Sequence, residues 1–138
     1  MYLTYEEYQQ YGGTLEEVTF TDFEMESETI VDWYTFNRFQ NDTEFPEKLK
    51  KCMYQLIKLG QEKQTILSPG ESADGSEVTA SVASRSNDGV SISYNVMSAK
   101  DIYDTIKVET ASIVKRYLSG VVNEMGRKVL YLGIYPGE

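Results

Sequence analysis

The sequence predicts a mainly α-helical protein: a small bundle of about four helices with one inserted β-hairpin and a short β-like C-terminal tail. Two observations predict this fold. Apolar residues recur every three or four positions in the long segments, which is the spacing of an amphipathic helix. The chain has 138 residues, of which 41% are hydrophobic, so it has enough apolar material for one modest core. Residues 1–138 are therefore expected to form a single domain.

The first and third helices have clear end signals. Thr4-x-x-Glu7 has the spacing of a capping box, and Gly12-Gly13 is expected to end the short first helix. The third helix is predicted to begin around Pro46, because proline suits the first turn, and to end near Gly60. Its buried stripe is predicted to contain Leu49, Cys52, Met53, Leu56 and Ile57.

The second helix is predicted to open at Thr21, with Thr19 as an alternative cap. Its apolar face is predicted to follow Phe20 and to carry Phe23, Ile30, Trp33 and Tyr34. Three carboxylates at i, i+4 spacing are expected to lie on the opposite, solvated face: Glu24, Glu28 and Asp32.

The fourth helix is predicted to be the longest, opening at Ser98-x-x-Asp101 and stopping at Gly120. Its predicted stripe is Ala99, Ile102, Tyr103, Ile106, Thr110, Ile113, Val114, Tyr117 and Leu118.

The residue types exclude much of enzyme chemistry. The chain has no histidine, which removes Ser-His and Cys-His nucleophilic systems and imidazole acid/base catalysis. No phosphate-binding or nucleophile-elbow motif occurs, and the single cysteine, Cys52, falls at a core position. A Mg²⁺ or Mn²⁺ enzyme using Glu24, Glu28, Asp32 and Glu26 is the remaining catalytic alternative, since hard cations take carboxylates. We expect no enzyme and no cofactor, because these carboxylates lie opposite the apolar stripe.

Charge is divided unevenly along the chain. Residues 1–45 contain 11 acids and one base, Arg38, whereas residues 46–138 contain 11 acids and 12 bases. Such an acidic surface disfavours tight DNA binding, which needs clustered cations. The one basic cluster is expected to contact an acidic patch on a neighbouring copy, and the candidates for this contact are Lys48, Lys50, Lys51, Glu24 and Glu28.

No membrane contact is expected, because no stretch approaches the roughly 20 apolar residues of a membrane span. The first residues lack the features of a secretory leader, so folding in the cytosol is expected.

Residues 61–97 are predicted to form an inserted loop and a serine-rich hairpin. A three-residue Asn87-Asp88-Gly89 turn collects the apolar side chains on one face, pairing Ser84 with Ile92 and Val82 with Tyr94. A lone hairpin is marginal in water, so this face is expected to pack either on the chain's own helices or on neighbouring copies. The candidate site residues of this segment are Ser84, Arg85, Ser86, Asn87, Asp88, Gly89, Ser91 and Ser93.

Residues 121–138 are predicted to form a C-terminal docking tail. Its apolar, β-prone core would invite edge pairing if it were exposed alone, so it is expected to pack into the domain or onto a partner. The candidate docking residues are Val129, Leu130, Tyr131, Leu132, Gly133, Ile134 and Tyr135.

Four phrases taken in order along the chain resemble one protein family: "YLTYEEYQQYGGTLEEVTF", "FNRF", "SNDGVSISY" and "VLYLG". They are similar to the head-to-tail adaptor proteins of long-tailed bacteriophages and prophages, also called head-completion or head-tail connector proteins. The resemblance covers nearly all of the chain. The family's final phrase often carries arginine where this sequence has Leu132.

The resemblance implies a structural virion protein located in the neck, and in the host cytoplasm during assembly. Its subunits would form a ring of about twelve copies beneath the portal, extending the DNA channel and contacting the next connector or stopper. Val129–Tyr135 would contact the portal. The Ser84–Tyr94 hairpin would line the channel or contact an adjoining ring. DNA would pass through without specific binding. A stopper or tail-completion protein of the same neck is the alternative within this class.

Overall fold

A computed structural model of the chain describes residues 1–66 and 99–138, and helices account for 61% of the described residues. In chain order the helices are α1 (Tyr5–Gln10), α2 (Glu17–Thr35), α3 (Glu47–Ile66) and α4 (Ala99–Leu118). The mainly α-helical bundle predicted from the sequence is therefore confirmed.

Helix α3 lies at the centre of the fold. It packs against both α2 and α4, which scarcely touch each other, and α1 packs on α2. The predicted α3 stripe is confirmed, since all five of its residues are buried. The largest completely enclosed apolar side chains come from every part of the described chain: Leu3, Tyr8, Phe20, Phe39, Leu49, Met53, Ile57 and Leu118.

The capping box of α1 forms as predicted. The hydroxyl of Thr4 accepts a hydrogen bond from the Glu7 N–H at 3.2 Å, and the Glu7 carboxylate accepts one from the Thr4 N–H at 3.1 Å. Gly12 then adopts a left-handed φ of 102° and ends the helix. A Cβ on Gly13 would lie 2.1 Å from the buried Tyr8 ring, so the turn requires glycine for close approach.

Helix α2 corrects two predictions. It begins at Glu17, upstream of both predicted caps, and the Thr21 hydroxyl donates within the helix to the Glu17 carbonyl at 2.8 Å. Its buried face is also rotated from the predicted one: Trp33 is 74% exposed, and Phe23, Ile30 and Tyr34 are only partly buried. The side chains that α2 buries are Phe20, Glu24, Ser27, Val31 and Thr35.

Helix α3 continues past its predicted end at Gly60 and reaches Ile66. Gly60 has a different role, which is to let α3 lie close to α2. A Cβ on Gly60 would lie 3.0 Å from the Phe23 ring of α2. Gly60 therefore allows two helices to approach each other, and does not end one.

Helix α4 ends where predicted, with Gly120 at a left-handed φ of 79°. Five residues of its predicted stripe are buried, whereas Tyr103 is about half exposed. Residues 61–66, which were predicted to start the loop, belong to α3. The rest of that loop, the predicted cap Ser98 and the hairpin Ser84–Tyr94 lie outside the described residues.

The C-terminal tail, residues 121–138, is a succession of turns and not a strand. Within residues 1–66 and 99–138 the only β pairing is an isolated antiparallel bridge between Val122 and Lys128. The expected β-like conformation of this segment was wrong, and side-chain contacts hold the tail in its place.

Candidate docking surface

Helix α2 is followed by a turn of two left-handed residues. Phe36 and Asn37 have φ angles of 54° and 59°, a conformation that costs a bulky residue about 1–3 kcal/mol. The backbone N–H of Asn37 donates to the Asp32 carbonyl at 3.0 Å, and that of Arg38 donates to the Thr35 carbonyl at 3.0 Å. This reversal of the chain brings the Arg38 side chain into the protein, where it is buried.

Arg38 binds four backbone carbonyl groups of the C-terminal tail. Its Nη1 donates to the carbonyl oxygens of Lys128 at 3.1 Å and Val129 at 3.2 Å, and also to that of Tyr131. Its Nη2 donates to the Gly133 carbonyl at 2.7 Å. A guanidinium group carries five N–H donors in a rigid plane, so it can fix the direction of several converging carbonyls at once.

A carboxylate and three aromatic rings complete the surroundings of Arg38. Glu138 accepts from Nε at 3.1 Å and from Nη2 at 3.2 Å. The hydrogen bond from Arg38 is the main reason why the pKa of Glu138 is lowered from its ordinary value. The guanidinium carbon also lies over the rings of Phe36, Tyr135 and Tyr131, at 5.1, 5.0 and 5.8 Å from their centroids.

Asn123 fixes the start of the tail against the same loop. Its Nδ2 donates to the backbone carbonyl of Arg38 at 2.8 Å, and its Oδ1 accepts from the Arg127 N–H at 2.9 Å. The Glu124 carboxylate accepts from the N–H of Thr43 at 2.7 Å and from its hydroxyl at 3.0 Å. Residues 36–43 and 123–138 thus hold each other through polar contacts at several points.

The tail held in this way directs apolar side chains toward solvent. Val129 is buried in the core, but Leu132 is 88% exposed and Ile134 is 82% exposed. Tyr131 is about half exposed, and its ring packs against the ring of Tyr135 with 4.8 Å between centroids. We define Leu132, Ile134 and the exposed edge of Tyr131 as the docking surface. It is an apolar patch on a backbone that is already ordered.

The other predicted site residues are dispersed. Lys48 and Lys51 are exposed on α3, and Lys51 pairs weakly with Glu47 at 3.8 Å. Lys50 is already paired with Glu7 of its own chain. The predicted hairpin site, Ser84 to Ser93, lies outside the described residues.

The predicted solvated acidic face is corrected by the burial of Glu24. This side chain is 1% exposed, and Glu28 is only partly exposed. The N-terminal segment, residues 1–4, covers this side of α2: the Tyr2 hydroxyl donates to Asp32, and the Met1 amino group lies 3.4 Å from Glu28. Glu24 is therefore not placed to contact a neighbouring copy.

The described carboxylates do not converge as metal ligands. Across residues 1–66 and 99–138, no group of three histidine, cysteine, aspartate or glutamate side chains is arranged to hold an ion. In the same residues, no helix combines the length and the hydropathy needed to cross a bilayer.

An open groove runs between α2 and α4 above α3. Its volume is about 580 Å³, and Trp33 and Tyr34 of α2 face Tyr103 and Ile106 of α4 across it, with Lys63 of α3 beside them. The groove exists because α2 and α4 both pack on α3 and leave the space between them unfilled.

Sequence reasoning missed the role of Arg38. The available signal was its charge, because it is the single base among the first 45 residues. A lone cation in an acidic segment could equally be a surface residue, and its acceptors are carbonyl groups, which no side-chain pattern reveals. A comparison with protein-family models, curated proteins and solved structures finds no match to this chain.

Proposed function

We propose that the protein is a structural subunit of a bacteriophage neck, a head-tail connector that forms a ring and uses the docking surface to bind the portal. The proposal begins from the resemblance of four sequence phrases to head-to-tail adaptor proteins. The geometry adds support of a different kind, since two of those phrases, "FNRF" at 36–39 and "VLYLG" at 129–133, are joined by Arg38.

The observation that carries the proposal is the exposure of Leu132 and Ile134 on an ordered tail. Side chains of this kind contribute about 1.5–3 kcal/mol each when a partner covers them. A pre-ordered backbone lowers the entropy lost on binding, so more of that free energy remains as affinity. Leu132 and Ile134 are two residues apart beside Tyr131, so they form one apolar patch, whereas exposed side chains such as Val18 are scattered singly.

Native mass spectrometry of the purified protein, alone and mixed with a bacteriophage portal protein, tests the proposal. We expect a closed ring, or a ring that forms on the portal. Replacing Leu132 and Ile134 by serine is expected to weaken portal binding by at least about a hundredfold, from a loss near 3 kcal/mol.

A matched control replaces two other exposed aliphatic side chains, Val18 of α2 and Val108 of α4, by serine. This control should bind the portal as the unmodified protein does. If both double variants bound the portal equally well, the docking surface would not be the portal-binding site. Binding to a tail terminator, with none to the portal, would instead indicate a stopper or tail-completion protein.

Ring contacts are proposed to pair the acidic outer side of α1 and α2 with the basic start of α3 on the next subunit, a head-to-tail contact that closes by rotation. Lys48 and Lys51 are the exposed candidates, because Lys50 is paired with Glu7, whereas Lys51 has only a long contact with Glu47 at 3.8 Å. Changing Lys48 and Lys51 to glutamate should reduce ring formation in low salt, whereas Lys115→Glu on α4 should not. Rings unaffected by the double change would contradict this contact.

A further inference from the structure

Glu24 occupies an unusual position for a carboxylate. Its side chain is 1% exposed, and its Oε2 atom has no hydrogen-bond donor within reach among the described residues. Neither Glu24 nor Asp32 forms an ion pair with a lysine or arginine of the described residues. A buried carboxylate in these surroundings is very unfavourable as an anion, so it is expected to carry a proton.

The neighbouring acids supply an acceptor for that proton. Glu28 lies one turn further along α2 and is within hydrogen-bonding reach of the Glu24 carboxyl group. Two ionised carboxylates could not bond to each other, since neither has a donor. A single proton on Glu24 would supply the missing donor and turn the repulsion between the two carboxylates into a hydrogen bond.

We propose that Glu24 and Glu28 share one proton at neutral pH, and that this carboxylic acid–carboxylate pair keeps the N-terminal segment, residues 1–4, docked on helix α2. Deprotonation of the pair releases the segment. The inference concerns the folded chain alone and does not depend on the proposed neck function.

The N-terminal segment is in direct contact with this pair. The backbone N–H of Tyr2 approaches Glu24, and the Tyr2 hydroxyl donates to Asp32, one turn beyond Glu28. The Tyr2 ring also packs edge-on against Phe45, with 4.8 Å between centroids. Tyr2 therefore contacts both the carboxylates and the core. Repulsion between ionised Glu24 and Glu28 would displace this buried residue.

The charged groups around the pair come from each neighbouring element. From α2 itself, Glu28 disfavours ionisation of Glu24, and from the N-terminal segment the Met1 amino group favours it. Asp42, in the loop after α2, acts on Tyr2. Helices α1 and α3 supply no cation here, since Lys50 of α3 pairs with Glu7 of α1.

Burial is the largest cause of a raised pKa at Glu24, followed by the hydrogen bond and the charge of Glu28, and it brings the value from 4.5 to about 8. Burial likewise raises the pKa of Asp32. The folded chain therefore holds a proton that the unfolded chain releases near pH 4.5. The contribution of this group to stability is complete below that pH and is lost progressively as the pH rises through about 8.

The absence of histidine makes this effect unusually easy to measure. The chain lacks the side chain that ordinarily titrates between pH 5 and 8, and burial raises the pKa of the Cys52 thiol to about 12. Among the described residues, a change in stability across that interval thus reports mainly on the carboxyl groups beneath the N-terminal segment, those of the pair and of Asp32.

The first measurement is an NMR titration of the Glu24 side-chain carboxyl carbon in the full chain, which needs no variant. We expect a midpoint near pH 8, with a parallel shift of the Leu3 methyl signals as the segment leaves α2. A midpoint near the ordinary value of 4.5, or Leu3 signals that do not change with Glu24, would overturn the proposal.

The second measurement compares urea denaturation midpoints at about pH 6 and 9. The unmodified protein should lose stability at the higher pH. Glu24→Gln, which is neutral at both, should show a much smaller difference. Glu26→Gln is the matched control, because Glu26 is exposed on the same helix, and it should keep the full pH dependence. A full pH dependence in Glu24→Gln would overturn the assignment of the proton to this pair.

Discussion

Replacing Arg38 by lysine should release the C-terminal tail without unfolding the helices. Lysine keeps the charge but has one compact ammonium group, so it cannot reach carbonyls as far apart as those of Lys128 and Gly133 together with Glu138. A hydrogen bond to a charged group contributes about 1.5–3 kcal/mol to stability, and Arg38 donates several to buried or part-buried carbonyls. Retention of one or two contacts by lysine should limit the cost to about 2 kcal/mol.

Hydrogen exchange measures this cost locally. The Tyr131 N–H donates to the Lys128 carbonyl and the Val129 N–H donates to the Val121 carbonyl, so both amides should be protected while the tail is held. A loss of about 2 kcal/mol corresponds to about a thirtyfold faster exchange at these amides. Amides in the middle of α3 should keep their exchange rates.

Arg127→Lys is the matched control for this experiment. Arg127 also lies in the tail and contacts Glu138, but at 3.8 Å and from a more exposed position. Its replacement should change exchange by less than about fivefold, as for other exposed ion pairs of 1 kcal/mol or less. Equal effects of the two replacements would refute the conclusion that Arg38 orders the tail.

Three further predictions concern the bundle. Cys52 should react with iodoacetamide at least about a hundredfold more slowly in the folded protein than in urea, because its thiol is buried and its pKa is raised to about 12. Thr4→Ala should lower the free energy of unfolding by about 1 kcal/mol, whereas Thr19→Ala, which removes no cap, should not lower it. Gly13→Ala should cost about 1–3 kcal/mol in urea denaturation, since the new Cβ would meet the Tyr8 ring; an unchanged midpoint would contradict the close approach.

Local sequence signals predicted local structure well. The α1 capping box involves residues three positions apart, and the end of α4 at Gly120 depends on the conformational freedom of one residue. The α3 stripe was predictable because its strict apolar spacing leaves one face to bury. The helical class of the fold follows from these signals together.

Contacts between distant segments were not predictable in the same way. When α2 is considered alone, its sequence predicts that the side carrying Glu24 faces solvent. It is buried because Tyr2 and Leu3 return to cover it, which no periodicity within α2 can indicate. Gly60 was misread for the same reason, since its neighbour Phe23 lies on another helix.

The way in which the tail is held was not predicted. The apolar run 129–135 was expected to pack into the domain or onto a partner, but nothing in its sequence indicated what its backbone carbonyl groups would bind. They are satisfied by Arg38, through a turn that depends on two left-handed residues, Phe36 and Asn37. Phe36 gives no sequence signal of that conformation, although Asn37 is of a type that tolerates it.

The contacts of Arg38 can form only late in the synthesis of the chain. The nearest carbonyl that it binds is 90 residues further along the sequence. At ordinary translation rates those residues take about 5–20 s to synthesise. During that interval the guanidinium has none of its tail acceptors, so the end of α2 cannot settle into its final packing. The docking surface therefore cannot form until the chain has been made as far as Gly133, after all four helices of the described residues.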